Sequence, residues 1–133
     1  MLEYTENSTQ VEEYLLKLKS ALCSENFDIN KDLEVQFSVI EGEPGFLNAR
    51  TLLDLNFTVA DVRNVLLSLT VQDYSETMFD NRDLTGLGFR VFGIIIDKKE
   101  LYIKVKIRKR ANNEVFCISF HYSQFPIVYP FRV

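Results

Sequence analysis

Apolar positions recur at two different periods along the chain, and each period marks a different kind of element. Val11, Tyr14, Leu15, Leu18 and Leu22 stand three or four residues apart, which is one face of a helix. Thr9 followed by Glu12 has the spacing of a capping box at its start, and residues 24–26 end it. Leu33, Val35, Phe37 and Val39 alternate with Glu34, Gln36 and Ser38, the period of a half-buried strand. Glu43-Pro44-Gly45 then breaks the chain, and residues 50–55 predict a short helix. Thr58 with Asp61 predicts a second capping box, Phe57 with Val62 has hydrophobic-staple spacing, and Val62, Val65, Leu66 and Leu69 form the buried stripe behind them. Thr70 with Asp73 repeats the cap and predicts a short third helix over residues 71–75. Asp80, Asn81, Asp83, Gly86 and Gly88 read as loop.

The pattern then changes to strands. Residues 89–96 are rich in β-branched and aromatic side chains. Leu101, Ile103, Val105 and Ile107 alternate with Tyr102, Lys104, Lys106 and Arg108. Residues 114–120 form a third strand, with turns at Asp97-Lys98-Lys99-Glu100 and Ala111-Asn112-Asn113. Two short hairpin loops imply an antiparallel meander. Pro126 and Pro130 restrict the tail to an edge strand or an extended arm. Helices first and strands later is an α+β order, with the N-terminal helices packed on one face of a C-terminal antiparallel sheet.

Composition narrows this picture. The 133 residues fit one domain, residues 1–133. A chain 47% hydrophobic and 26% charged is globular rather than disordered. No apolar run approaches the roughly 20 residues that span a bilayer, and no basic stretch leads into an apolar one at the N-terminus. The expectation is a cytoplasmic protein with no membrane partner. Cys23 and Cys117 are read as two small buried side chains, and two cysteines with one histidine supply too few soft ligands for zinc. Charge is divided along the chain. Residues 1–83 carry six Lys+Arg against sixteen Asp+Glu, a net of −10, and residues 84–133 carry nine against three, a net of +6. The front part is thus acidic and mainly helical, the back part basic and mainly sheet. A basic half suits a polyanion or an acidic partner.

Candidate chemistry gathers in the basic half. Tyr102, Lys104, Lys106 and Arg108 share one face of a strand, a row able to neutralise phosphates and stack a base. The plain alternative is a solvated sheet face. His121, the only histidine, follows Val115, Cys117 and Ser119 at alternating positions, and at a strand end it is placed for acid or base work near neutral pH. Ser119 lacks the setting of a nucleophile, and no phosphate-binding glycine loop exists, Gly86-Leu87-Gly88 being only a fragment. The acids at 80–83 read as a solvated loop rather than a cation site.

Residues 53–132 resemble the MqsR-type toxins of bacterial toxin–antitoxin pairs, which share the RelE-like fold. The matching stretches are Leu53-Asp54-Leu55-Asn56-Phe57-Thr58, Val65-Leu66-Leu67-Ser68-Leu69-Thr70 with Asp73-Tyr74, Tyr102-Ile103-Lys104, and Cys117-Ile118-Ser119-Phe120-His121 followed by Tyr129-Pro130-Phe131-Arg132. The resemblance implies a metal-independent endoribonuclease without cofactors, an mRNA interferase that cuts RNA to 2′,3′-cyclic phosphate ends. It implies mRNA, on or off the ribosome, and a cognate antitoxin as partners. Tyr102 matches an active-site tyrosine, and His121 stands where another member has a catalytic lysine. Glu76 stands where that member has a second catalytic lysine, which is a departure. A family glutamine falls near Phe89 or Arg90.

These readings converge on His121, Lys104, Tyr102 and Arg132 as catalytic residues, with Arg90, Lys106 and Arg108 binding flanking RNA charge. His121 is the general acid/base, Lys104 and Arg132 stabilise phosphate, and Tyr102 stacks or hydrogen-bonds. The rival expectation is a binding or inhibitor protein on the same fold, such as a phage type, that has lost catalysis. Glu76 and the acidic front half favour it. A plain structural or assembly role is the third reading.

Overall fold

The computed structural model describes residues 3–79, 88–109 and 113–132. Most of the predicted loop at 80–88 and part of the turn at 111–113 lie outside the described residues.

Helix α1 (Ser8–Leu22) buries the predicted stripe of Val11, Tyr14, Leu15, Leu18 and Leu22, with Ala21 beside it. Its capping box is formed by Asn7 and Gln10, two residues before the expected pair. The Gln10 amide donates to Asn7 Oδ1 at 2.8 Å, and the Asn7 amide to Gln10 Oε1 at 2.9 Å. The start is set upstream because Glu6 is pinned there. Its amide donates to the Tyr74 hydroxyl at 3.0 Å, and its carboxylate holds Arg90.

Helix α2 (Ile29–Asp32) runs directly into strand β2 (Leu33–Val35), so the expected strand ends after three residues and leaves Phe37 and Val39 exposed. Helix α3 (Phe46–Leu55) begins earlier than predicted, at Gly45, whose φ of 90° is left-handed. A Cβ there would lie 2.6 Å from the Phe37 backbone nitrogen, so only glycine fits. Helix α4 (Val59–Ser68) has the predicted Thr58–Asp61 box, and Phe57 and Val62 both join the core. Thr70 and Asp73 also form their box, but it caps a single 3₁₀ turn, Val71–Asp73. Where the helix was expected to continue, Tyr74 opens strand β3 (Tyr74–Met78). The chain leaves the capped turn at Tyr74, whose side chain is completely buried in the core.

Strands β4 (Phe89–Ile96), β5 (Lys99–Lys109) and β6 (Asn113–Tyr122) follow the predicted meander. Asp97 and Lys98, at φ of 51° and 65°, make the tight β4–β5 turn, since two positive φ values match the twist of the flanking strands. With β1 (Glu3–Tyr4), the six strands lie in the order β1-β3-β4-β5-β6-β2. The sheet is mixed rather than antiparallel, because β2 runs parallel to β6. Three of its strands come from the acidic front part, so the charge division is not a division between layers.

The helices do cover one face, as expected. Val11, Leu15, Leu18 and Leu22 of α1 and Val62 and Leu66 of α4 pack on Tyr74, Phe92, Leu101, Ile103, Val105 and Phe120. Each such side chain contributes about 1.5–3 kcal/mol by leaving water. Cys117 is buried as expected, but Cys23 ends α1 and is exposed.

Beyond β2, the edge of β6 is closed by a helix. Asn48 Nδ2 donates to the carbonyls of Gln36 at 2.8 Å and Ile118 at 3.0 Å, and Asn48 Oδ1 accepts from the Phe120 amide at 2.8 Å. One turn later, Thr51 Oγ1 accepts from the Tyr122 amide at 3.2 Å. Two side chains of α3 thus stand in for a strand, which explains why β2 stops at Val35.

Candidate functional site on the sheet face opposite the helices

The face opposite the helices is read off the strand register. Gly93, Tyr102 and His121 are cross-strand partners, and the next row is Glu76, Val91, Lys104 and Ser119. An extra residue in β6, opposite Lys104 and Val105, shifts the phase of this strand. Val115 and Cys117 therefore face the helices, while Ser119 and His121 face away. His121 does not share a face with Val115 and Cys117, as simple alternation implied.

Tyr102 and His121 are brought into direct contact. Their rings stack with centroids 5.6 Å apart and planes 20° apart, and Phe125 closes edge-on against Tyr102 at 5.8 Å. His121 Nδ1 lies 2.9 Å from the Tyr122 carbonyl oxygen. A carbonyl only accepts, so Nδ1 carries the hydrogen and a neutral ring keeps its basic lone pair on Nε2. Burial, followed by the charges of Glu76 and Glu3, pushes the Tyr102 phenol up to about 12. It is a hydrogen-bond donor at neutral pH, not a base.

Lys104 follows on the same face, its Nζ 5.1 Å from the centre of the Phe89 ring. Lys106 meets the same ring at 5.3 Å but is only 4% exposed, so it cannot belong to a solvated basic row. Arg108 lies over Phe116 at 3.9 Å and reaches Glu34 at 3.4 Å. The row is shared with carboxylates. Glu76 is held above the ordinary carboxylate range by burial and then by Glu3, which repels it and shares a hydrogen bond, while Lys104 pulls the other way. This face is mixed in charge rather than basic.

Two expected site residues are elsewhere. Arg90 points to the helix face, 6% exposed, with Nε 2.8 Å from Glu6 Oε1 and its guanidinium 4.4 Å from the Tyr14 ring centre. It is a buried structural cation and leaves the RNA-binding set. Arg132 lies 3.8 Å from the Tyr129 ring centre and 3.3 Å from Asp73. It does not converge with His121.

His121 also lines an open groove of about 630 Å³ between α3 and the end of β6, with Leu47, Arg50, Thr51, Asp54, Lys99 and Gln124 around it. Lys99 lies 3.8 Å from Asp54 and 4.7 Å from the Tyr122 ring centre, and the Tyr122 hydroxyl donates to Asp54. Sequence reasoning missed Arg50 and Lys99. They meet only because α3 replaces a strand beside β6, a contact between segments with no local signal.

Among the described residues, no group of three or more His, Cys, Asp or Glu is placed to hold a metal ion, and no helix is long and apolar enough to cross a membrane. Comparison with protein-family models, with curated proteins and with solved structures finds no match.

Proposed function

We propose that this protein is a metal-independent endoribonuclease with a RelE-like arrangement, an mRNA interferase similar to the MqsR-type toxins, acting on mRNA and held by a cognate antitoxin. The observation that carries the proposal is the His121–Tyr102 pair, with its Nδ1 anchored on a carbonyl and Lys104 on the same face. His121 Nε2 takes the proton of a ribose 2′-hydroxyl. The 2′-oxygen bonds to the adjacent phosphorus and the bond to O5′ breaks, leaving a 2′,3′-cyclic phosphate and a 5′-hydroxyl. Tyr102, protonated at neutral pH, gives O5′ its proton, and Lys104 faces the charge that develops on the phosphorane.

Purified protein is expected to cleave RNA in EDTA. His121→Ala and Lys104→Ala are each expected to lower the rate by about 10²–10⁴-fold. Undiminished cleavage by both variants would remove these residues from the reaction. Intact RNA with the folded wild-type protein supports the second reading, a binding or inhibitor protein on the same fold. The specific observation favouring that reading is the carboxylate pair Glu76 and Glu3 beside Lys104.

A further inference from the structure

We propose that the groove between α3 and the end of β6 is a subsite for one unpaired nucleotide next to the scissile phosphate, with Arg50 neutralising that nucleotide's phosphate. This rests on the ribonuclease reading above. The groove is continuous with the reaction centre through one side chain, because His121 both lines it and stacks on Tyr102. Its volume of about 630 Å³ is in the range of small-molecule sites and is ample for a nucleotide.

The charges in the groove are unequal in what they have left to offer. Lys99 and Asp54 face each other at 3.8 Å, and Asp54 also accepts from the Tyr122 hydroxyl. Arg50 is exposed, lies over the Phe46 ring at 5.8 Å and makes no ion pair among the described residues. A guanidinium presents a planar fork of N–H donors that can grip a phosphate at two oxygens. Leu47, 42% exposed, offers an apolar surface to a base, and the exposed amide of Gln124 can both donate to and accept from a base edge. A splayed single strand presents both the base face and its edge; a duplex presents neither to a groove of this kind.

The test uses Arg50→Ala and Arg50→Lys in the full chain, with cleavage kinetics in EDTA and the binding of a 2′-O-methyl oligoribonucleotide that cannot be cleaved. The expected result for Arg50→Ala is a rise of about tenfold in both KM and Kd, with kcat unchanged, because a contact made equally before and during reaction is lost. The slope of log affinity against log salt should fall by about one. Arg50→Lys should keep that slope while losing the two-oxygen grip. Unchanged KM, Kd and salt slope in Arg50→Ala, with His121→Ala still inactive, would overturn the subsite and leave the ribonuclease standing. Oligonucleotide binding that Arg50→Ala weakens, with a wild-type protein that cuts nothing, would support the groove as a nucleotide site and overturn the ribonuclease. Neither binding nor cleavage by the wild type would overturn both.

Discussion

Glu6 and Arg90 lie 84 residues apart in sequence and meet beneath α1, with side chains 9% and 7% exposed. Burial alone would raise the Glu6 carboxyl, but hydrogen bonds from Arg90 and Thr77 outweigh it and hold the group below its ordinary value of 4.5. A depressed carboxyl contributes stability that is present above the ordinary value and lost as the pH falls through the lower, folded one. Glu6→Gln is therefore expected to cost about 3 kcal/mol at pH 7, where it strips a carboxylate from a buried guanidinium. In urea unfolding the gap between the two proteins should narrow at pH 3; a gap of equal size there would show that the charge is not the cause. At this scale the sequence was legible for His121 and Tyr102, which fell opposite each other on neighbouring strands. It was misleading for Arg90, because alternation identifies two faces without saying which one the helices cover. Lys106 was misread for a related reason: a long aliphatic stem lets a cation lie buried along an aromatic ring.

Helix α3 decides more than its length suggests. By presenting Asn48 and Thr51 one turn apart, it satisfies polar groups that an edge strand would otherwise leave exposed. Asn48 is 1% exposed, so Asn48→Ala leaves three backbone groups without this partner in a buried place. The expected loss is about 2–4 kcal/mol, with faster amide hydrogen exchange at Phe120. Unaltered exchange there would mean that β6 does not depend on this helix. The same substitution should loosen the groove beside His121, which α3 lines. Elements with their own signals were readable: the α4 cap, the α1 stripe and the β4–β5 hairpin. The strand β3, the two-residue β1 and the parallel pairing of β2 were not, since each owes its state to a partner far along the chain.

On the scale of the whole molecule, the tail is the last layer placed. It crosses the face opposite the helices over Gly93, where a Cβ would overlap the Tyr129 hydroxyl and lie 2.8 Å from Ile127 Cδ1. Glu100 holds it, accepting from the Ile127 amide at 3.1 Å and the Tyr129 hydroxyl at 2.8 Å. Gly93→Ala is expected to lift this segment, lowering stability by about 1–3 kcal/mol and exposing the Ile127 amide to exchange. Protection equal to wild type would disprove the close approach. The α+β order was legible from the chain alone, but the division of charge was a poor guide to layers. Both outer strands come from the front of the chain: β1 docks on β3 and β2 on β6. Leu33 must wait for Val115, roughly 80 residues later, which at about 5–20 residues per second is about 4–16 s of translation. During that interval the β2 segment has no neighbour. Closure of that edge is thereby deferred until β6 is made, and a nascent chain halted before that point carries no His121.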